Sequence, residues 1–558
     1  MRRSDVGDVW WKSAVVYCAD VQTFQDSDGD GQGDLQGMTD RLEYLSDLGV
    51  TVLWLMPLYP TAGRDDGYDI TDFLGVDPRL GDLGRFVELV RAAEARGIRV
   101  IVDFVMNHTS DKHPWFRSAR RGTDDPYRHY YVWTDEEPPP TADEVVFPDA
   151  EDSIWERDEK TGEWYLHHFY RTQPDLNVAN PQVREEIART LGFWLQLGVS
   201  GFRIDAVPFL FQNDDYPGAE PGSFDPFRYL GDVRDYVNRR LGDAALLGEV
   251  NLPYAGQKDF FGGDDGDGLT LQFDFNGMQA MYLSLAREDA GPLAAALRER
   301  PDLDLQSQWA NFVRNHDELT LDKLTDDERA EVFAAFGPEP EMQLYDRGLR
   351  RRLPPMLGGD QRRIRSVYSL MFSLPGTPVL FYGEEIGMGE NLDVPGRLAV
   401  RTPMQWTSGE HGGFSTATRR RLVRPVVEGA FGPEQVNVAD QRRDPGSLWS
   451  FIRTLVRRYR QMPELGWSTV QVLDHDTPAV LAHVAHADGW RMLAVHNLGS
   501  RAATVDLRLE DADGLVLSDV LGDTGEQPVG ERGRVSLVLE PYEGRWLRLV
   551  EPGQEPFA

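Results

Sequence analysis

The sequence predicts an α/β protein: a (β/α)₈ barrel carrying an inserted subdomain and followed by a C-terminal antiparallel β-sandwich domain. Three observations predict it. Eight short apolar runs recur before residue 390, amphipathic helical stretches alternate with them, and beyond residue 473 the pattern changes to short alternating segments. At 558 residues the chain is too long for one typical domain, but it fits a barrel of about 250 residues with insertions and a small extra domain.

The eight runs span residues 15–24, 50–58, 99–107, 201–207, 245–251, 269–275, 311–317 and 377–387. They are rich in Val, Leu, Ile and Phe, as parallel strands covered on both faces should be. Between them, Phe86, Leu89, Val90 and Ala93 repeat at helical spacing, as do Ile187, Leu191 and Trp194 ahead of Gly198. Strands alternating with helices in this way predict the barrel, over residues 1–108 and 178–472. Two spacings are irregular. Residues 109–177, rich in Pro, Asp, Tyr and Trp, predict an inserted subdomain, and residues 319–363 a polar, helical insertion. Residues 473–558 hold alternating segments at 480–485, 490–497, 503–509, 534–539 and 544–550, the mark of the sandwich. No low-complexity segment or 20–50-residue repeat is present.

Composition narrows the function. The net charge is −34, the wrong sign for phosphate contacts or an anionic membrane surface, and compatible with a neutral substrate. The one cysteine, Cys18, excludes an internal disulfide and reads as a small buried hydrophobe in a strand. Arg2 and Arg3 are not followed by an apolar region, so no signal peptide is expected, and no run reaches the roughly 18 apolar residues of a membrane helix. A soluble cytoplasmic protein is expected, with homo-oligomerisation left open.

Barrel enzymes carry their chemistry at the C-terminal ends of strands. Those ends read Asp103 to His108, Arg203-Ile204-Asp205, Gly248-Glu249 and Arg314-Asn315-His316-Asp317, and the loop after strand two carries Tyr68-Asp69. Most of the 92 acidic residues are ordinary surface groups, but charges converging on one barrel mouth cost free energy unless they are used. Two carboxyl groups facing a glycosidic bond are the minimum for glycoside chemistry. Asp205 suits the ionised attacker because Arg203 lies two residues away on the same strand face. Glu249 suits the protonated partner, since nearby negative charge raises its pKa. Asp317 would hold substrate hydroxyls, and His108 and His316 would donate to them.

Asp26, Asp28, Asp30 and Asp34 place hard oxygens at alternate positions on a glycine-rich turn after strand one, which suits Ca²⁺, and the Gln32 carbonyl could add a ligand. No zinc motif is present. Trp10-Trp11 reads as packing against the barrel rather than a sugar platform. Arg350–Arg352 reads as a solvated or salt-bridged helical face rather than an anion site. Among Trp115, Phe116, Tyr127, Tyr130, Tyr131 and Trp133, about a third are expected to line the substrate pocket and the rest to form the core of the insertion.

These strand-end segments resemble the signature regions of the α-amylase family, glycoside hydrolase family 13. Residues 103–108 resemble the first region, 201–206 the second, Glu249 the third, 315–317 the fourth, and 173–177 the extra region closing the inserted B domain. The resemblance covers almost the whole chain. It implies Asp205 as nucleophile, Glu249 as acid/base and Asp317 as stabiliser of a retaining α-glucoside enzyme. It places Arg203, His108, His316, Tyr68 and Asp69 around the glucose in the pocket. It implies a structural calcium at the Asp26 loop, and Asn107 and Asp175 match a second calcium position of many relatives. Within the family the likeness points to the trehalose synthases, which interconvert maltose and trehalose by intramolecular transglucosylation. The supporting stretches are 24–35, 104–116, 314–320, 350–356 and 400–406. An α-glucosidase or transglucosylase on short α-1,4-glucosides is the alternative, because the three carboxylates do not encode which acceptor wins. A non-catalytic member of the superfamily is the remaining alternative, and this chain keeps the triad such members lose.

Overall fold

The computed structural model describes residues 9–210, 224–487, 489–522 and 525–557. The reading of residues 1–8 lies outside them. Eight parallel strands close into a barrel in chain order: β1 (Val16–Ala19), β2 (Val52–Leu55), β3 (Arg99–Phe104), β4 (Gly201–Ile204), β5 (Ala245–Gly248), β6 (Leu271–Phe273), β7 (Gln308–Phe312) and β8 (Thr377–Phe381). The closing register runs Val16↔Val379 and Val16↔Val52.

Every expected run contributes a strand, each shorter than its run, and the first and seventh depart most tellingly. The first ladder stops at Ala19; Asp20 accepts a hydrogen bond from the Gln22 amide and turns Val21–Phe24 into a helical turn. The seventh strand starts at Gln308, whose side chain donates to the Gly466 carbonyl, so a buried polar residue hid the start of the strand. It leaves the ladder at Phe312, and residues 313–317 turn into the mouth.

The helices follow from their caps and apolar stripes. Helix Leu83–Glu94 starts where Asp82 accepts from the Arg85 amide, and it buries Phe86, Leu89, Val90 and Ala93. Helix Pro181–Gln196 starts on Asn180 with proline in its first turn, where the missing amide costs nothing. Trp194 from this helix is fully buried and donates to the Phe73 carbonyl. Trp10 and Trp11 donate to the carbonyls of Asp243 and Gln306, so they tie the segment to the barrel, as expected. Cys18 is buried in β1, and burial pushes its thiol pKa up.

Between β3 and β4 the chain forms a three-stranded antiparallel sheet of Trp133–Thr134, Trp164–Leu166 and Trp155–Arg157. After β7, helix Asp326–Phe336 opens with a reciprocal Thr325–Glu328 cap. A small antiparallel sheet of Leu319–Thr320, Gly348–Leu349 and Gln343–Leu344 flanks it, a feature the polar pattern did not predict. The C-terminal region has a six-stranded sheet and a two-stranded sheet around one apolar core that includes Val480, Leu493, Val505, Leu517, Leu537 and Leu547. It docks on the barrel through His483 and His496, which share the Ser373 hydroxyl, and through an Arg548–Glu464 ion pair at 2.8 Å. Among the described residues no helix is long and apolar enough to cross a membrane.

Candidate active site

Strand register builds the floor of the site. Asp103 pairs with Arg203 across β3 and β4, and Arg203 with Leu247 across β4 and β5, two residues before Glu249. The fully buried Arg203 guanidinium therefore meets three carboxylates: Asp103 at 2.7 Å, Asp205 at 2.5 Å and Glu249 at 2.9 Å. Glu249 also accepts from the Ala206 amide at 3.0 Å, and Ala206 reaches this position by adopting φ +48°. Burial pushes Asp205 and Glu249 up to about 7 against the pull of Arg203, and each is raised further by carboxylates around it. One guanidinium cannot neutralise three carboxylates, so the cluster keeps a proton at neutral pH. The shorter contact to Arg203 favours Asp205 as the ionised member and leaves the proton to Glu249.

Asp317 has the opposite environment. Burial would raise its pKa, but Arg397 at 2.6 Å and Arg401 at 3.0 Å hold it well below the usual carboxylate range. His316, pushed toward neutrality by burial, lies 3.0 Å from Asp317, and its Nε2 is 2.6 Å from the Tyr68 hydroxyl. Tyr68 in turn donates to Asp103 at 3.2 Å. Asp205, Glu249, Asp317, Tyr68 and His108 line one cavity of about 490 Å³, a size suited to a small ligand. Both His108 ring nitrogens are buried without a well-formed hydrogen bond, a state suited to a polar ligand.

Asp69 is a correction. It does not line the cavity, and neither do the fully buried Arg203 and His316; the Asp69 carboxylate takes the Thr61 hydroxyl and the amides of Arg64 and Asp65, so it shapes the loop. Asp65 lines the cavity instead and pairs with Arg397 at 2.8 Å. Neither Asp65 nor Arg397 was picked out in the sequence. Asp65 lies three residues before Tyr68, and its role shows only through partners distant in the chain, Gln173 and Arg397. The insertion aromatics are a second correction. Trp115, Phe116, Tyr127, Tyr130, Tyr131 and Trp133 pack on one another away from the cavity, with Phe116–Tyr131 at 4.9 Å and Trp115–Tyr130 at 5.3 Å. Among the described residues, the phenyl rings that line the cavity are Phe147, Phe169, Phe209 and Phe275, beside Tyr68 and His108. Arg350–Arg352 is salt-bridged, as Arg351 pairs with Glu390 at 2.9 Å, but it is neither helical nor solvated: the next helix starts at Leu353, and buried Arg352 donates to the Val400 and Tyr382 carbonyls.

In the loop after β1, carboxylate oxygens of Asp26, Asp28 and Asp34 lie within 4.8 Å of one another, a donor set that suits a hard cation. Asp30 is not in this group; it accepts from the Gln32 amide. The loop is stitched to residues 414–424 by Ser415, which donates to Asp26, and by Val423, whose amide donates to the Gly31 carbonyl. Asp175 joins no such carboxylate or histidine group among the described residues, and its carboxylate pairs with His168.

The catalytic-domain family described as "Alpha amylase, catalytic domain" matches residues 20–335 and 350–467, and a sucrose hydrolase-like C-terminal domain matches 489–548. The trehalose synthase/amylase TreS of Mycobacterium tuberculosis (strain CDC 1551 / Oshkosh) is 41% identical, over 98% of this chain and 92% of its own length. The trehalose synthase of Pimelobacter sp. (strain R48) is 37% identical, over 97% and 96%. Among solved structures, the alpha-amylase from H. orenii superposes with a TM-score of 0.76 at 26% identity, over 97% of this chain and 100% of the other. The isomaltulose synthase SmuA from Protaminobacter rubrum gives 0.76 at 26%, over 97% and 99%. The family match begins just after β1 and takes in the other seven barrel strands together with Asp205, Glu249 and Asp317, and on that ground this chain belongs to the alpha-amylase family.

Proposed function

We propose that this protein is a retaining α-glucoside enzyme that interconverts maltose and trehalose, with Asp205 as nucleophile, Glu249 as acid/base and Asp317 as stabiliser. The observation that carries the chemistry is the pairing of Asp205 and Glu249 on one guanidinium with a proton to share. The near full-length likeness to trehalose synthases supports the isomerase reading over hydrolysis.

In the first step the Asp205 carboxylate attacks the anomeric carbon. Glu249 gives its proton to the glycosidic oxygen as that bond breaks, and glucose is released inside the pocket. Asp317, kept ionised by two arginines, favours the positive charge that develops on the sugar ring. In the second step the retained glucose presents its anomeric hydroxyl. Glu249 takes that proton, the new oxygen–carbon bond forms, and Asp205 leaves as carboxylate. A retaining pair of this kind has its carboxyl groups about 5–5.5 Å apart. Water in place of glucose would give hydrolysis, so the walls of the pocket decide the outcome.

The substrates are small neutral α-glucosides. A calcium ion held by Asp26, Asp28 and Asp34 belongs to the same reading, supported by the hard-oxygen donor set. Bound there, it would fasten the β1 loop to residues 414–424. The deciding measurement is purified protein with maltose alone, read by anomeric-proton NMR. Trehalose as main product is expected; glucose or longer sugars without trehalose would leave a glucosidase or general transglucosylase using the same carboxylates.

A further inference from the structure

Two excursions far apart in sequence meet over the mouth of the pocket. The one before β4 supplies Phe147 and Tyr170; the one after β7 supplies Tyr345. The Phe147 ring stacks on Tyr170 at 4.6 Å between centroids and packs against Tyr345 at 5.1 Å. The Arg397 guanidinium, which reaches Asp317 and Asp65, lies 5.0 Å from the Phe147 ring. Phe147 and Arg397 line the cavity, whereas Tyr345 stands behind Phe147 and does not.

Tyr345 occupies the tip of the hairpin formed by Gln343–Leu344 and Gly348–Leu349, and it is only 8% exposed. Tyr345 and Asp346 sit at φ +56° and +54°, a region that residues other than glycine seldom adopt. A tip in such a conformation persists when surrounding contacts over-determine it. Those contacts include the Phe147 ring, the Tyr170 side chain, whose hydroxyl interacts with that of Tyr345, and Arg347, which faces the Tyr345 ring at 5.4 Å and pairs with Glu318, next to Asp317, at 3.4 Å.

We propose that Tyr345 is a positioning residue that clasps the two excursions together and so keeps the released glucose in the pocket while water stays out. The proposal rests on the isomerase reading. Between the two chemical steps the freed glucose must turn within the cavity while the glucosyl–Asp205 bond survives. Every opening between Phe147 and the hairpin tip is a route for glucose to leave and water to enter. Tyr345 touches no substrate and acts through the position of Phe147.

The test compares wild type with Tyr345→Ala and Tyr345→Phe on maltose plus free ¹³C-labelled glucose, with trehalose, glucose and label read by NMR. Wild type should make trehalose that excludes the label. Tyr345→Ala should raise the glucose-to-trehalose ratio by about 2- to 10-fold, the size set by losing one aromatic pair. It should also admit label into trehalose. Tyr345→Phe keeps the ring and loses only the hydroxyl shared with Tyr170, so it should stay nearer to wild type than the alanine variant does. Where the alanine protein does not fold, Tyr345→Leu keeps part of the apolar bulk without the ring and should behave as the alanine variant. A folded alanine or leucine variant that turns over more slowly with unchanged ratio and excluded label overturns the clasp alone. A wild type that yields only glucose overturns the isomerase reading, and the clasp with it.

Discussion

Arg203 is the residue on which the chemistry turns, because it touches Asp103, Asp205 and Glu249 at once. Asp205 and Glu249 are both raised to about 7, so their protons leave as a pair in two steps around neutrality. Below the lower step both carboxyls are protonated and the nucleophile is lost. Above the upper step both are ionised and the acid is lost. The profile of kcat/KM against pH is therefore expected to be a bell with its maximum near pH 7; a plateau extending to pH 9 would contradict the assignment of Glu249 as acid. Glu249→Gln should lower kcat/KM on maltose by about 10²- to 10⁴-fold. The loss should be smaller on α-glucosyl fluoride, whose leaving group needs no proton. Equal losses on both substrates would remove Glu249 from the acid role.

At the scale of elements, the β1 loop carries a prediction of its own. Chelator treatment should lower the melting temperature, because a ligand present at 100 times its Kd stabilises the folded state by ~2.7 kcal/mol. Asp28→Asn should abolish that sensitivity and leave the catalytic carboxylates untouched. Melting curves that coincide with and without chelator in the wild type would remove the calcium. This loop was legible because its acidic residues alternate within nine positions. The strand ends were legible for a similar reason: Asp205 and Glu249 directly follow apolar strands, whereas Asp317 lies five residues beyond β7. The pocket walls were not. Asp69 and Asp65 differ by four positions in one loop, and only the hydrogen bonds of Asp69 to Thr61, Arg64 and Asp65 show which of the two faces the cavity. The aromatic runs of the insertion carry no sign of facing. Phe147 reaches the cavity while Phe116 does not, a difference set by packing across the sheet rather than by local pattern.

At the scale of the whole molecule, the barrel and the C-terminal sandwich meet on two neutral histidines. Burial pushes His483 and His496 down to about 3, aided by Arg300 beside the first and by His483 beside the second. In the unfolded chain both titrate near 6.5. Between those values the unfolded state binds protons the folded state refuses, so the stability is full above about pH 6.5 and falls as pH drops. At pH 5 the loss is about 2 kcal/mol for each histidine. Calorimetry from pH 7 to pH 4.5 should show a flatter dependence in the His483→Gln/His496→Gln variant; parallel curves would show that the interface does not sense acid through these rings. The division of labour across the molecule has one more consequence. The floor of the pocket comes from β-strands locked in the barrel ladder, and much of its wall comes from two excursions that share no ladder with it. Acceptor choice can therefore drift under selection, or be redirected by recombining residues 144–147, 318–322 and 345–347, while the bond-breaking apparatus is inherited intact.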